Sequence, residues 1–280
     1  MSSRLSARSL FVGPLLLAGL LAAAPARAQP LQLPGAGVVT PPGAVQPPPT
    51  VQPPGQPPGQ PRSAAPPVRA VSDDAVVGQA LLHNGRGGRL VMEKRRTGYG
   101  LKFAAEGFQI NNLTEPCGIS FGDDAIELES LGRPAGLPRF RLKAPICPIV
   151  FDVLPNALLV VEPREPCVVE AAQCRVAPYG LWAPDGRGLV ALARDIERDR
   201  ARAEVQVREG FRNLGAKVEP EDRRVVAREQ AGFSSEREQI CREFHREESH
   251  GFCAAKVTEA RAASLRSRLN EGKPEPRARR

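Results

Sequence analysis

Hydrophobic and polar positions divide the chain into stretches with different periods. An apolar run from Leu10 to Ala24, broken by Gly13, Pro14 and Gly19, stands near its start. Residues 29–70 have no period: Pro, Gln, Gly and Ala dominate, a short GQPP repeat lies around Gly55–Pro61, and no aromatic residue occurs. From Val76 to Pro163, short apolar–polar segments alternate with clusters of turn residues, the pattern of antiparallel strands. Ala80–Leu82 and Arg89–Glu93 flank Asn84-Gly85-Arg86-Gly87-Gly88, a hairpin signal. Gly100–Ala104 and Phe108–Asn111 follow as strands. Ala125–Leu131 and Arg139–Leu142 then surround Gly132-Arg133-Pro134-Ala135-Gly136, and Ile149–Val153 and Ala157–Val161 flank Leu154-Pro155-Asn156. Short strands at this spacing predict a sandwich or small barrel over residues 71–166.

Beyond Trp182 the period becomes helical. Leu189, Leu192, Ile196, Ala203, Val207 and Phe211 mark a helix over Leu189–Leu214, with Asp185 as a candidate N-cap. Pro220 opens a second helix through about Ala231. Ser235 with Glu238 forms a capping-box signature for a third over Glu236–Glu247, and Ser249-His250-Gly251 separates it from a fourth over Phe252–Leu269. The expected fold class is therefore α+β: an antiparallel β domain followed by a disulfide-pinned helical bundle over residues 167–270.

Composition adds the compartment. Arg4 and Arg8 precede the apolar run, and Ala26-Arg27-Ala28 closes it with a small-x-small site, so residues 1–28 read as a secretory signal cleaved before Gln29. The run is shorter than the roughly 20 residues that span a bilayer, which argues against a stable membrane anchor after cleavage. Residues 29–70 favour polyproline II and read as a disordered proline-rich spacer. Six cysteines, all beyond that spacer, read as disulfides in an oxidising compartment, periplasmic or secreted. The formal net charge is +8, but the signal segment supplies three of these charges, the spacer two and the basic tail 271–280 two. Only +1 is left for residues 71–270, which removes the main support for nucleic-acid binding.

The densest chemical cluster is Cys241, His245, His250 and Cys253. Cys241 and His245 share a helix face, and two Cys with two His are a possible tetrahedral zinc set. The alternative is a Cys241–Cys253 disulfide joining the third helix to the fourth, which the oxidising compartment favours over a metal site. Cys117 and Cys147 are expected to pair, closing a loop of about 30 residues worth about 3–4 kcal/mol. Cys167 and Cys174 are expected to close a tight loop into the bundle. No Gly-x-Ser-x-Gly elbow, phosphate loop or HExxH is present. The adjacent acids Asp123-Asp124 and Glu247-Glu248 read as surface, although a carboxylate-based glycosidase needs no local motif. No residue is expected to be catalytic, cofactor-binding or metal-binding.

One stretch carries a family pattern. Glu229-Gln230, Phe233, Arg237 and Cys241, followed by Cys253, Thr258, Arg261 and Leu265, resemble the C-terminal half of the LprI-type lysozyme-inhibitor domain, a small secreted helical module. Cys167, Glu170 and Cys174 are similar to that family's opening cysteine pair. The resemblance implies a non-enzymatic protein whose partner is a lysozyme and whose helical half, residues 167–270, is the binding unit. A scaffolding protein of the envelope and a cell-wall hydrolase are the alternatives.

Overall fold

The structure, a computed structural model, describes residues 70–121 and 124–271. The expected signal segment, spacer and basic tail lie outside those residues, except for Ala70 and Glu271. Among the described residues there are eleven strands: β1 (Ala80–His83), β2 (Gly87–Arg95), β3 (Gly98–Gln109), β4 (Pro116–Ser120), β5 (Ile126–Ser130), β6 (Arg139–Leu142), β7 (Ile149–Leu154), β8 (Ala157–Glu162), β9 (Cys167–Val169), β10 (Cys174–Val176) and β11 (Gly180–Ala183). Helices α1 (Gly186–Leu189), α2 (Ala193–Lys217), α3 (Pro220–Cys241), α4 (Glu247–His250) and α5 (Phe252–Asn270) follow.

The expected sandwich or small barrel followed by a bundle is corrected. The strands form one antiparallel sheet in which β1–β2–β3–β5–β6–β7–β8–β11 closes into an eight-stranded barrel. The closing partner of β1 is β11, which pairs Leu82 with Ala183 and His83 with Trp182. Strand periodicity marks which residues face a core, but not which strand lies beside which, so closure by a strand some hundred residues away was not visible. The boundary at 166/167 also changes. Strands β9–β11 occupy 167–183, belong to the sheet, and share one compact unit with the barrel and the helices.

An eight-stranded barrel is just wide enough for its own side chains. Leu81, Leu90, Met92, Leu101, Phe103, Leu142, Phe151, Val153, Leu158 and Trp182 fill this one. The Trp182 indole N–H donates to the Pro178 carbonyl at 2.9 Å. Strands β7, β8 and β11 are buried on both faces, which explains their nearly continuous apolar sequence. Their outer side chains Leu154, Leu159, Leu181 and Ala183 pack with Phe233, Ile240, Phe244, Phe252 and Val257 of the helical region. One outward carboxylate interrupts them: Asp152, 4 % exposed, accepts two hydrogen bonds from Arg139 on the neighbouring strand, at 2.6 and 2.8 Å.

The helices differ from expectation in the middle. The second and third predicted helices are one continuous α3, so Ser235 and Glu238 lie inside it rather than at a start. The apolar side chains Val226, Phe233 and Ile240 keep one face buried through this stretch, and tertiary packing outweighs the local capping signal. Pro220 does open α3, and Asp185 does act as a cap, accepting from the Arg187 N–H at 2.9 Å at the start of α1. Helix α2 packs closely on α5 because Gly210 faces Leu265; a Cβ there would stand 3.1 Å from the Leu265 Cβ.

Three strands lie outside the barrel. β3 is twelve residues long, and its first half pairs with β2 and β5 inside the barrel. Its second half carries β4 on one side and β10, followed by β9, on the other. These strands form a flap whose inner side chains, Ala105, Ile119, Val169 and Val176, join the barrel core. Close approach of β10 requires a glycine at 107, since a Cβ there would collide with the Arg175 carbonyl. Two disulfides secure the flap. Cys117–Cys174 joins β4 to β10, and Cys147–Cys167 ties β9 to the loop before β7, with Cα separations of 5.8 and 5.6 Å. The expected pairs Cys117–Cys147 and Cys167–Cys174 are thus both exchanged. The reason is that β3 places Cys117 and Cys174 on strands flanking it, on the same inner face.

Candidate functional site

The third disulfide is the one the spacing indicated: Cys241–Cys253 joins the end of α3 to the start of α5, with Cα atoms 5.5 Å apart. Both sulfurs of the alternative zinc set are therefore committed to a covalent bond. His250 is engaged as well. Its Nδ1 faces the Phe252 N–H at 3.1 Å and its Nε2 faces the His245 carbonyl at 3.0 Å, which fixes the tautomer with the proton on Nε2. The Glu247 carboxylate caps α5, accepting from the N–H groups of Cys253 and Ala254 at 2.9 and 2.8 Å, while burial pushes its pKa up. The adjacent Glu248 is exposed, so the pair does not act together. Asp124 is exposed, and Asp123 lies outside the described residues.

The residues of the family pattern converge. On α3, Glu229, Phe233 and Arg237 recur every four positions and so share one face. Phe233 is 7 % exposed and is flanked by two guanidinium groups, Arg237 from its own helix at 5.5 Å and Arg261 from α5 at 5.9 Å from the ring centroid. Arg237 Nη1 donates to the Thr258 hydroxyl at 3.2 Å and lies 3.7 Å from Glu204 of α2. The Thr258 hydroxyl in turn donates to the Ala254 carbonyl at 2.6 Å. Glu229 receives Arg268 at 2.6 Å and has Arg261 at 3.8 Å. Burial lowers the pKa of Arg261, whose Nε and Nη2 make no hydrogen bond, and the Gln230 Oε1 is buried in the same state. Leu265 is fully buried among Val207, Leu214, Val226 and Ala262.

Most of this network is internal to the α2–α3–α5 seam. Its outlet is an open cleft of about 370 Å³ lined by Arg200, Ser234, Arg237, Glu238, Arg242 and Glu247, beside Cys241. Sequence reasoning missed Glu204 and Arg268, which complete the seam. The spacing Arg200–Glu204 at i, i+4 was the available signal for the first, and the two hydrogen-bond at 3.1 Å. Cys167, Glu170 and Cys174, similar to the family's opening pair, lie instead in the flap, where neither cysteine bonds to the other.

Fold and site together define a disulfide-bonded β-barrel with an appended helical layer. The disulfides indicate an oxidising, extracellular environment, and among the described residues no helix is long and apolar enough to cross a membrane. No protein-family model, curated protein or solved structure matches the chain.

Proposed function

We propose that the chain is an exported protein of the bacterial envelope, periplasmic or secreted after cleavage at Ala28, that binds a protein partner without chemistry of its own, and that the partner is a lysozyme. The observation that carries the reading is the convergence in the seam. Glu229, Arg237, Thr258 and Arg261, among the residues that carry the resemblance to the LprI-type inhibitors, form one network around Phe233, and the Cys241–Cys253 bridge joins the two helices that hold it. Arg237 and its neighbours present that network to solvent at the cleft. Such preorganisation lowers the ordering cost of binding.

The test is lysis of a cell-wall suspension by several lysozyme types with and without the mature protein. Slowed lysis, weakened by Cys253→Ser, is the expected outcome. If no type is slowed at high excess, a scaffolding role in the envelope replaces the inhibitor reading. Wall fragments released by the protein alone would make it a hydrolase.

A further inference from the structure

The flap has two unlike faces. Residues opposite one another in antiparallel pairs point to the same side of a sheet. Phe108 of β3 lies opposite Pro116 of β4 and Arg175 of β10, and Arg175 lies opposite Val168 of β9. These side chains form a row on the outer face. Phe108 is 51 % and Val168 47 % exposed. Leu113 in the β3–β4 turn and Ile146, beside the bridged Cys147, are comparably open. Half of the large exposed hydrophobic side chains among the described residues thus belong to this small unit or its anchor, a concentration that single scattered residues do not show.

Charge around the row says what covers it. Glu106, two positions from Phe108 on the same face, and Glu115, Glu165 and Glu170 around the rim are all exposed, and none makes an ion pair among the described residues. Arg164, the nearest basic neighbour in sequence to Glu165, is occupied by Glu236 at 3.0 Å. Among the described residues Arg175 in the row and the exposed Arg89, opposite Ala104 on β2 and so on the same face, oppose the four carboxylates, which leaves an excess of two negative charges. The near-neutral charge of the folded region therefore conceals an acidic pole. A two-fold pairing of two flaps would set these carboxylates against their own copies, which disfavours a second copy of this chain as the occupant.

We propose that the outer face of the flap is a docking surface for a basic protein, which seats an apolar group on the Phe108–Val168 row while its Lys or Arg side chains meet Glu106, Glu165 and Glu170. This inference rests on the protein-binding function proposed above and adds a second contact surface, on the barrel's appendage, to that of the helical seam. Two disulfides hold the face rigid before the partner arrives, which favours binding.

The experiment measures association and dissociation of the mature protein on an immobilised cationic c-type lysozyme at two salt concentrations. Phe108→Ser and Val168→Ser are expected to weaken binding about tenfold each, acting mainly on dissociation. Glu106→Gln, Glu165→Gln and Glu170→Gln combined are expected to slow association several-fold and to flatten its salt dependence. The glutamates are exposed, so this triple variant carries the test even if an apolar variant folds poorly. Binding that survives all flap variants but is lost in Arg237→Ala overturns the inference and leaves the lysozyme reading standing. Absence of binding by the unaltered protein overturns both.

Discussion

The flap and the helical seam are both closed by disulfides, but they are held together differently. The seam buries Phe233, Ile240, Phe244, Phe252, Val257 and Leu265, and its single bridge closes a separation of 12 residues. The flap offers its inner face only Ala105, Ile119, Val169, Val176 and its cysteines, turns its phenylalanine outward, and carries two bridges that close 57 and 20 residues. Covalent links are densest where apolar burial is thinnest. In the chain-entropy picture the longer loops also restrict the unfolded chain more. A surface that must stay rigid yet keep its apolar side chains in water cannot be held by a core alone, and cross-links supply what burial does not.

The largest expected effect follows from the longest loop. Replacing Cys117 and Cys174 together by Ala should cost about 4 kcal/mol in denaturant unfolding, against about 3 kcal/mol for the Cys241/Cys253 pair. Hydrogen exchange should show faster amides in β4 and β10 while β7 and β8 stay protected. Equal protection throughout would mean the flap does not depend on its bridge. Peptide mapping without reduction should recover Cys117–Cys174 and Cys147–Cys167, and a Cys117–Cys147 peptide would refute the flap geometry.

Two phenylalanines sharpen the contrast. Phe233→Ala should destabilise by about 3 kcal/mol or more, because it removes a buried ring and the face on which Arg237 and Arg261 rest. Phe108→Ala, at an exposed position, should stay within about 0.5 kcal/mol of the unaltered protein. A large stability loss at Phe108 would assign it to the core rather than to a docking face.

The smallest effect is a pH dependence at the barrel wall. Burial lowers the pKa of His83, whose ring lies tilted 5.0 Å from that of Trp182 and whose Nε2 lies 3.0 Å from the Tyr179 carbonyl. The folded state therefore takes up a proton less readily than the unfolded chain, and stability falls as pH drops below about 6.5, toward the depressed folded value. Glu247 acts in the opposite sense, since its raised pKa makes the folded state gain stability as pH falls toward the ordinary carboxylate range. His83→Gln should thus reduce the loss of melting temperature between pH 7.5 and 5.5. An unchanged slope would mean that His83 does not contribute to it.

Much of the candidate site was legible because it is local. Cys241 and Cys253 end and begin successive helices, so a twelve-residue separation suffices to bring their Cα atoms to 5.5 Å. The four-residue recurrence of Glu229, Phe233 and Arg237 fixes a common face whatever the helix packs against. The role of Arg261 was less legible. Its position on α5 follows from the period, but its place over Phe233 depends on the α3–α5 crossing, which also brings in Arg268, while the packing of α2 against α3 brings in Glu204.

The local units could be read from the chain alone: the β1–β2, β5–β6 and β7–β8 hairpins with their turns, the helical region after Asp185, the start of α3 at Pro220, and the helix-to-helix disulfide. Each of these is decided by residues a few positions apart, where turn geometry and side-chain period act directly. Tertiary structure alone decided the closure of the barrel by β11, the continuity of α3 through Ser235, and the exchange of partners among Cys117, Cys147, Cys167 and Cys174. These depend on which distant strands bury each other's faces. An alternating pattern states that a face is to be buried and leaves its neighbour to be selected by the packing of the whole core.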